Sequence, residues 1–566
     1  MLISGSHGQA LPLTQGQTKA DCSSFGYYFE DAPTAPFNAG TLEAIQKLHK
    51  DMVETTPGPE GDHSSLPPIF TYFGQFVDHD ITGLALDDDA DPLLPIQSKD
   101  LKPEARAELR TKILNVRSGF FDLDSLYGAV RPSMTPAQLK LNSLLRFPGD
   151  RAMMWLGTFG KPDNRVTFPK DPAADLLRLD RLLETGRFTE EDIADLPGDQ
   201  QKMFFLPDGS LNRSRAIIAE PRNDENLFIA QLHLAWLRFH NRVVQAWPHP
   251  RKAGDEDDVY EWARENVRLY YQWLVINVWL PGICDPKVVR DILATGPRLY
   301  DEFLTNCDWK PGDALPIPLE FSTACYRFGH STVRGTYDWN HNFGRSDANP
   351  NSRARFEEMF TFTGLSPDPM FGQGPKLPAN WGADWDRLVH PMSAFADRST
   401  RLVDTSIAIP LTTMRNEGGD PVRQNLIARN LLRGIQHNLP TAQAVIARLN
   451  GLGIAVPQMT KAQISSGNTA GEIKDGNFDD HTPLWFYTLK EAELLGRGQR
   501  LGPLGSQIVA GTIIGLILRG PDPVWRKPGS HEGRWHPVDG PRISGQLVDS
   551  FPAFIRAALL MENPDV

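Results

Sequence analysis

DENLFIAQLHLAWLRFHNRVVQAW, residues Asp224–Trp247, decides the fold class. It opens on acidic residues, contains neither Gly nor Pro, and repeats apolar side chains at helical spacing, so it predicts a long helix. DDVYEWARENVRLYYQWLVINVWL, Asp257–Leu280, reads the same way. Outward from this pair, shorter helices are expected over Thr41–Met52, Pro136–Leu145, Asn425–Arg433 and Gly505–Leu518. Thr135 can cap the second of these, with Pro136 in its first turn. Within SLPPIFTYFGQFVDHDITG, apolar residues at Phe70, Phe73, Val77 and Ile81 recur by three and four, which predicts a short buried helix. Alternating strand patterns are scarce. The expected fold is therefore mainly α, with little β structure, in one large helical domain.

Of 566 residues, 58 are Lys or Arg and 70 Asp or Glu, a net charge of −12. That balance argues against a nucleic-acid partner. Four cysteines without CxxC spacing exclude a disulfide framework and a zinc knuckle. No apolar run is long enough for a membrane span, and the N-terminus lacks a signal-peptide pattern, so a cytoplasmic location or secretion by a non-classical route is expected. Gly and Pro, 47 and 46, suit helices joined by long ordered connections. The Pro- and Gly-rich start reads as an irregular arm over 1–47, followed by one catalytic domain over 48–566. Composition breaks at Thr363–Ala383 and Gln458–Asp480 read as surface loops.

Five segments carry candidate chemistry. In Gln75-Phe-Val-Asp78-His79-Asp80, Gln75 and His79 share a helix face, where a His can exchange protons with a small ligand. In Arg117-Ser118-Gly-Phe120-Phe-Asp122-Leu-Asp124, alternating oxygen-bearing side chains could surround a hard cation such as calcium, although the spacing excludes an EF-hand. Arg222 and Glu225 lie three apart at the start of the long helix, and an Arg there could stabilise developing negative charge. In Tyr326-Arg327-Phe-Gly329-His330, a His after a small residue can approach a flat cofactor and ligate iron. In Asn425-Leu-Ile-Ala-Arg429-Asn430-Leu-Leu-Arg433, an inward Asn could bond the far nitrogen of such a His. Taken singly, each also fits a solvated helix face or an Asp-rich turn.

Together and in this order, the five segments resemble the animal-type haem peroxidases of the peroxidase–cyclooxygenase superfamily. The resemblance runs from about Pro68 to the C-terminal region that includes TPLWFYTLKEAELLGRGQRLGPLGSQIVAGTIIGLIL. It implies a haem b cofactor and makes His79 the distal histidine, Gln75 the distal glutamine and Arg222 the distal arginine. His330 resembles the proximal iron ligand and Asn430 its hydrogen-bonding partner. Asp78 and Glu225 match carboxylates that form ester links to haem. Arg327 and Arg433 fall among the cofactor-binding positions, with Arg327 placed to pair with a propionate. Asp80, Ser118, the Phe120 carbonyl, Asp122 and Asp124 resemble a calcium site.

The implied activity is reduction of hydrogen peroxide with oxidation of a halide, a pseudohalide or another small anionic or phenolic donor. Asn226 stands where a mammalian member has a haem-linked Met, which puts chloride oxidation in doubt. His437 lies where the family's pattern is altered and receives no role. Two alternatives are a haem-dependent fatty-acid dioxygenase and a haem-binding protein without turnover. Cyclooxygenases place a radical-forming Tyr three residues before the proximal His; here that position is Arg327. An intact trio of Gln75, His79 and Arg222 speaks against lost turnover.

Overall fold

The computed structural model describes residues 23–55, 63–86, 103–128, 134–161, 175–206, 208–346, 349–364, 376–390, 395–414, 424–543 and 545–558. Its centre is the Leu227–Gln245 helix, buried on almost every face. A helix apolar all round belongs in the middle of a bundle, and this one packs against Ile69–Ile81 and Glu256–Leu274. It starts later than the sequence pattern indicates. Asn226 is its N-cap, its side-chain oxygen accepting from the Ile229 amide at 3.1 Å. Pro221–Asp224 forms a separate 3₁₀ turn in front of it. Arg222 and Glu225 are therefore not on one α-helical face; a tight turn presents them.

The second long pattern forms Glu256–Leu274 and runs on through a π-helical turn, Val275–Trp279, into Leu280–Ile283. Expected helices are present at Ala39–Asp51, Pro136–Ser143, Leu426–Gln436 and Pro503–Arg519, with the Thr135 cap in place. Gln458–Asp480 includes two short helices, Lys461–Ile464 and Ala470–Asp475. Part of the Thr363–Ala383 break lies outside the described residues. No helix among the described residues is long and apolar enough to cross a membrane.

The β structure is small but decides what faces what. Strands β1 (Ser23–Gly26), β2 (Leu84–Leu86), β3 (Ile113–Asn115) and β4 (Ile317–Pro318) form one sheet in the order β2-β3-β1-β4. β3 pairs antiparallel with β2 and β1, and β4 pairs parallel with β1, Phe25 opposite Ile317. β2 leaves the Ile69–Ile81 helix, and β4 leads into the segment that carries His330. Where the sequence reading set an irregular arm over 1–47, residues from Ser23 onward are part of the same core: Phe25 and Tyr28 are buried, and Ile45 and Leu48 are fully so. Residues 1–22 lie outside the described residues.

Candidate functional site

The Ile69–Ile81 helix supplies one wall. Asp78, His79 and Asp80 at its C-terminal end are buried. Gln75 donates from Nε2 to Glu225 and accepts from Asn226 Nδ2 at 3.3 Å, so the start of the 227–245 segment is tied to this helix face. Asp78 accepts from Thr82 Oγ1 at 2.8 Å. His79 Nδ1 lies 2.8 Å from Asn223 Oδ1. Arg222 is held firmly. Its Nε bonds Glu220 at 2.9 Å, and Nη2 donates to the carbonyls of His79 at 3.0 Å and Thr82 at 2.7 Å. Burial pulls its pKa below the usual arginine value, with Asp78, Glu225 and Asp124 opposing the shift.

The opposite wall is a π-helical turn, Glu320–Ala324, followed by a 3₁₀ segment, Cys325–Thr332. Tyr326 hydroxyl donates to the Gly74 carbonyl at 2.9 Å and joins the walls. His330 is buried, with Nδ1 2.8 Å from Asn430 Nδ2. Metal ligation through Nε2 would need Nδ1 to donate, and the Asn430 amide would then turn to offer its oxygen. A side chain added at Gly329 would meet nothing within 4 Å, so the chain beside His330 borders open space.

A cavity lies between the walls, bordered by Gln75, Asp78 and Asn226 on one side and Arg327 and His330 on the other. His79, Arg222 and Arg433 line a second, smaller cavity. Asp78 and Arg327 border both, and they form an ion pair at 3.2 Å. This contact is the partition between the two spaces. Glu225 and Asn430 line neither cavity. They act one hydrogen bond behind, on Gln75 and His330.

The cation candidates converge. Carboxylate oxygens of Asp80, Asp122 and Asp124 lie within 4.8 Å of one another. Ser118 Oγ donates to Asp122 at 3.4 Å and accepts the Phe120 amide at 3.1 Å. Burial, then the neighbouring Asp124, pushes Asp122 up to about 7, and burial drives Asp80 well above the carboxylate range. Asp80 Oδ2 is buried with no hydrogen-bond partner among the described residues. Hard oxygen donors this crowded fit a divalent cation such as calcium. Asn115 fixes the loop to the end of the Ile69–Ile81 helix, donating to the Ile81 carbonyl at 2.9 Å and accepting the Gly83 amide at 2.7 Å.

The loop depends on Gly119, whose φ is +73° and whose missing Cβ would sit 2.3 Å from the Leu315 carbonyl oxygen. Gly119→Ala should destabilise the fold by about 1–3 kcal/mol or more and weaken calcium binding. Chemical denaturation and calcium titration check both; unchanged calcium affinity would remove the loop from the site.

Glu220, Asn223 and Arg117 receive no role from the sequence, yet they organise this wall. Arg117 bonds Glu220 and reaches Asp124 at 3.3 Å, so Glu220 connects the acidic cluster to Arg222. Their one sequence signal is proximity to Ser118 and Arg222.

Residues 181–450 match the family model described as animal haem peroxidase. The chain is 24% identical over 525 residues to thyroid peroxidase of Mus musculus, covering 88% of this chain and 52% of that protein. It is 24% identical over 262 residues to chorion peroxidase of Drosophila melanogaster, covering 46% of this chain and 29% of that protein. It therefore spans about half the length, or less, of these relatives. Among solved structures it is similar to peroxidase A from Dictyostelium discoideum, with a TM-score of 0.54, 16% identity and 89% of each chain covered.

Proposed function

We propose that the chain is a member of the animal haem peroxidase family, as the match of residues 181–450 to that family model supports, and that it is a haem-dependent enzyme that reduces hydrogen peroxide and oxidises a small donor. The carrying observation is a cavity walled on one side by the helix of His79 and on the other by His330, each ring bonded at Nδ1 by an asparagine. Haem b would be held by His330, with Arg327 and Arg433 for its propionates. When bound, haem would supply the two electrons that peroxide takes up as its O–O bond breaks, and the donor would restore them. His79 takes a proton from peroxide at Nε2 and returns it to the departing oxygen. Arg222 offers Nη1 to developing negative charge, since Glu220 and two carbonyls already hold Nε and Nη2. Calcium at Asp80, Ser118, the Phe120 carbonyl, Asp122 and Asp124 fixes the backbone next to His79.

Asp78 and Glu225 are the candidates for ester links to haem. Both the Asp78 link and a propionate role for Arg327 require their mutual ion pair to part. Asn226 caps Ile229 and bonds Gln75, which fits a site without a methionine link. The donors proposed are iodide, bromide, thiocyanate and phenols.

A Soret band followed by steady-state turnover with peroxide against those donors tests the reading. Donor oxidation that requires peroxide is expected. Fast oxygen uptake with linoleate in the absence of peroxide would replace it with a fatty-acid dioxygenase, and a Soret band without turnover would replace it with a haem-binding role. Retention of haem through acid-acetone extraction, lost in an Asp78→Val, Glu225→Val double variant, is expected if the ester links form.

A further inference from the structure

Asn223 sits between two buried imidazoles. Its Oδ1 lies 2.8 Å from His79 Nδ1 and its Nδ2 lies 3.0 Å from His233 Nδ1. Asn223 and His233 are fully buried and His79 is 2% exposed, so bulk solvent does not compete for these bonds. A primary amide offers one accepting and one donating end. The two rings therefore cannot both present Nδ1–H to it: if His79 donates, His233 must accept. His79 has two ring nitrogens, and only a ring with its proton on Nδ1 leaves the lone pair on Nε2.

Resting on the peroxidase reading, we propose that Asn223, oriented by His233, is a positioning residue that fixes His79 in the Nδ1–H form, so that Nε2 is the proton acceptor. Burial alone lowers His233 to about 3, so this ring stays neutral and keeps an accepting nitrogen for the amide. The arrangement also serves the protonated state of His79. The imidazolium must donate from Nδ1, and the amide oxygen already faces it. Other titratable or charged groups bordering the same space are Asp78, Arg222, Arg327, Arg433 and His437. His233 Nε2 has no hydrogen-bond partner among the described residues. In the proposed tautomer that nitrogen carries an unsatisfied proton, a cost that fits a ring retained for orientation.

Cyanide is a probe of the acceptor that needs no turnover, because hydrogen cyanide binds ferric haem as the anion and leaves its proton on a nearby base. The haem-loaded protein should bind cyanide tightly at neutral pH. Asn223→Leu should weaken it about 10- to 100-fold, with peroxide kcat/KM falling in parallel and the donor KM unchanged. Asn223→Asp keeps an acceptor facing His79 and should stay within a few-fold of wild type. His233→Phe removes only the contact that orients the amide and should weaken cyanide binding several-fold.

Cyanide affinity within twofold of wild type in both Asn223→Leu and His233→Phe overturns the proposal. If Asn223→Leu fails to take up haem, His233→Phe decides alone by the same criterion. Loss of thermal stability with unchanged cyanide affinity per haem would make Asn223 merely structural, and also overturns it. A wild-type protein that takes up no haem would instead refute the peroxidase reading itself.

Discussion

His79→Ala slows the reaction with hydrogen peroxide by about 10²–10⁴-fold at neutral pH, the range over which a positioned acid–base group contributes. The haem itself should remain. His330 and Asn430 belong to other elements, and His79 does not line the larger cavity, so the Soret band should be preserved. Stopped-flow absorbance after mixing with peroxide is the measurement, and near-normal formation of the oxidised species would refute His79 as the base. Arg222→Ala tests a different contribution. Its guanidinium is fixed by Glu220 and by the carbonyls of His79 and Thr82, so its loss removes charge stabilisation and also loosens the end of the histidine's helix. A part of that defect should therefore be recovered in Arg222→Lys as stability without recovery of rate, because an ammonium cannot reproduce the guanidinium's fork.

Removing calcium should produce the largest change in stability. A cation held at about a thousand times its Kd adds about 4 kcal/mol to the folded state, and that contribution disappears on chelation. The pH dependence of what is left has a definite sign. Without the cation, burial and the neighbouring carboxylates hold Asp122 at about 7 and Asp80 well above its ordinary value. A carboxyl with a raised folded pKa binds its proton more tightly folded than unfolded. It is therefore neutral to stability at pH values below the unfolded pKa, and increasingly destabilising as pH climbs toward the folded one. The chelated protein should lose thermal stability from about pH 4 through about pH 7, whereas the calcium-loaded protein should not show that loss. Thermal melts across this range with and without chelator check it, and parallel profiles would exclude cation binding at Asp80, Asp122 and Asp124. Peroxide reactivity should fall with the metal, because Asp80 follows His79 directly in the chain.

Helix content was legible in the sequence because it is local, a run of apolar residues at helical spacing; the five candidate segments were visible as polar residues a few positions apart, but their proposed roles came only with the family resemblance. The start of the central helix was not legible, since DEN reads as an acidic first turn while the Asn226 side chain caps the helix from outside it. The sheet was illegible for a different reason. Strands of two to four residues are too short to show alternation, and β1 pairs with a strand almost three hundred residues away. Glu220 and Asn223 were passed over because their importance lies in what surrounds them: a carboxylate next to a Pro and an Asn after an Arg become informative only when Arg117, His79 and His233 arrive from elsewhere. The family resemblance implies a separate cofactor group for Arg327 and for Asp78, and only in three dimensions do they prove to be each other's partner.

The pairing of β1 with β4 sets a timetable for biosynthesis. The Tyr28 amide bonds Glu320 across a sequence separation of 292 residues, and Phe25 is paired with Ile317. A ribosome adding about 5–20 residues per second leaves the first strand without its later neighbour for roughly 15–60 seconds. During that interval the edge of the strand that later meets β4 is available to other chains. The nascent protein is thus most exposed to misassembly in the first half of its synthesis, and slow translation or a shortage of holding chaperones should reduce the yield of soluble protein before any cofactor is encountered.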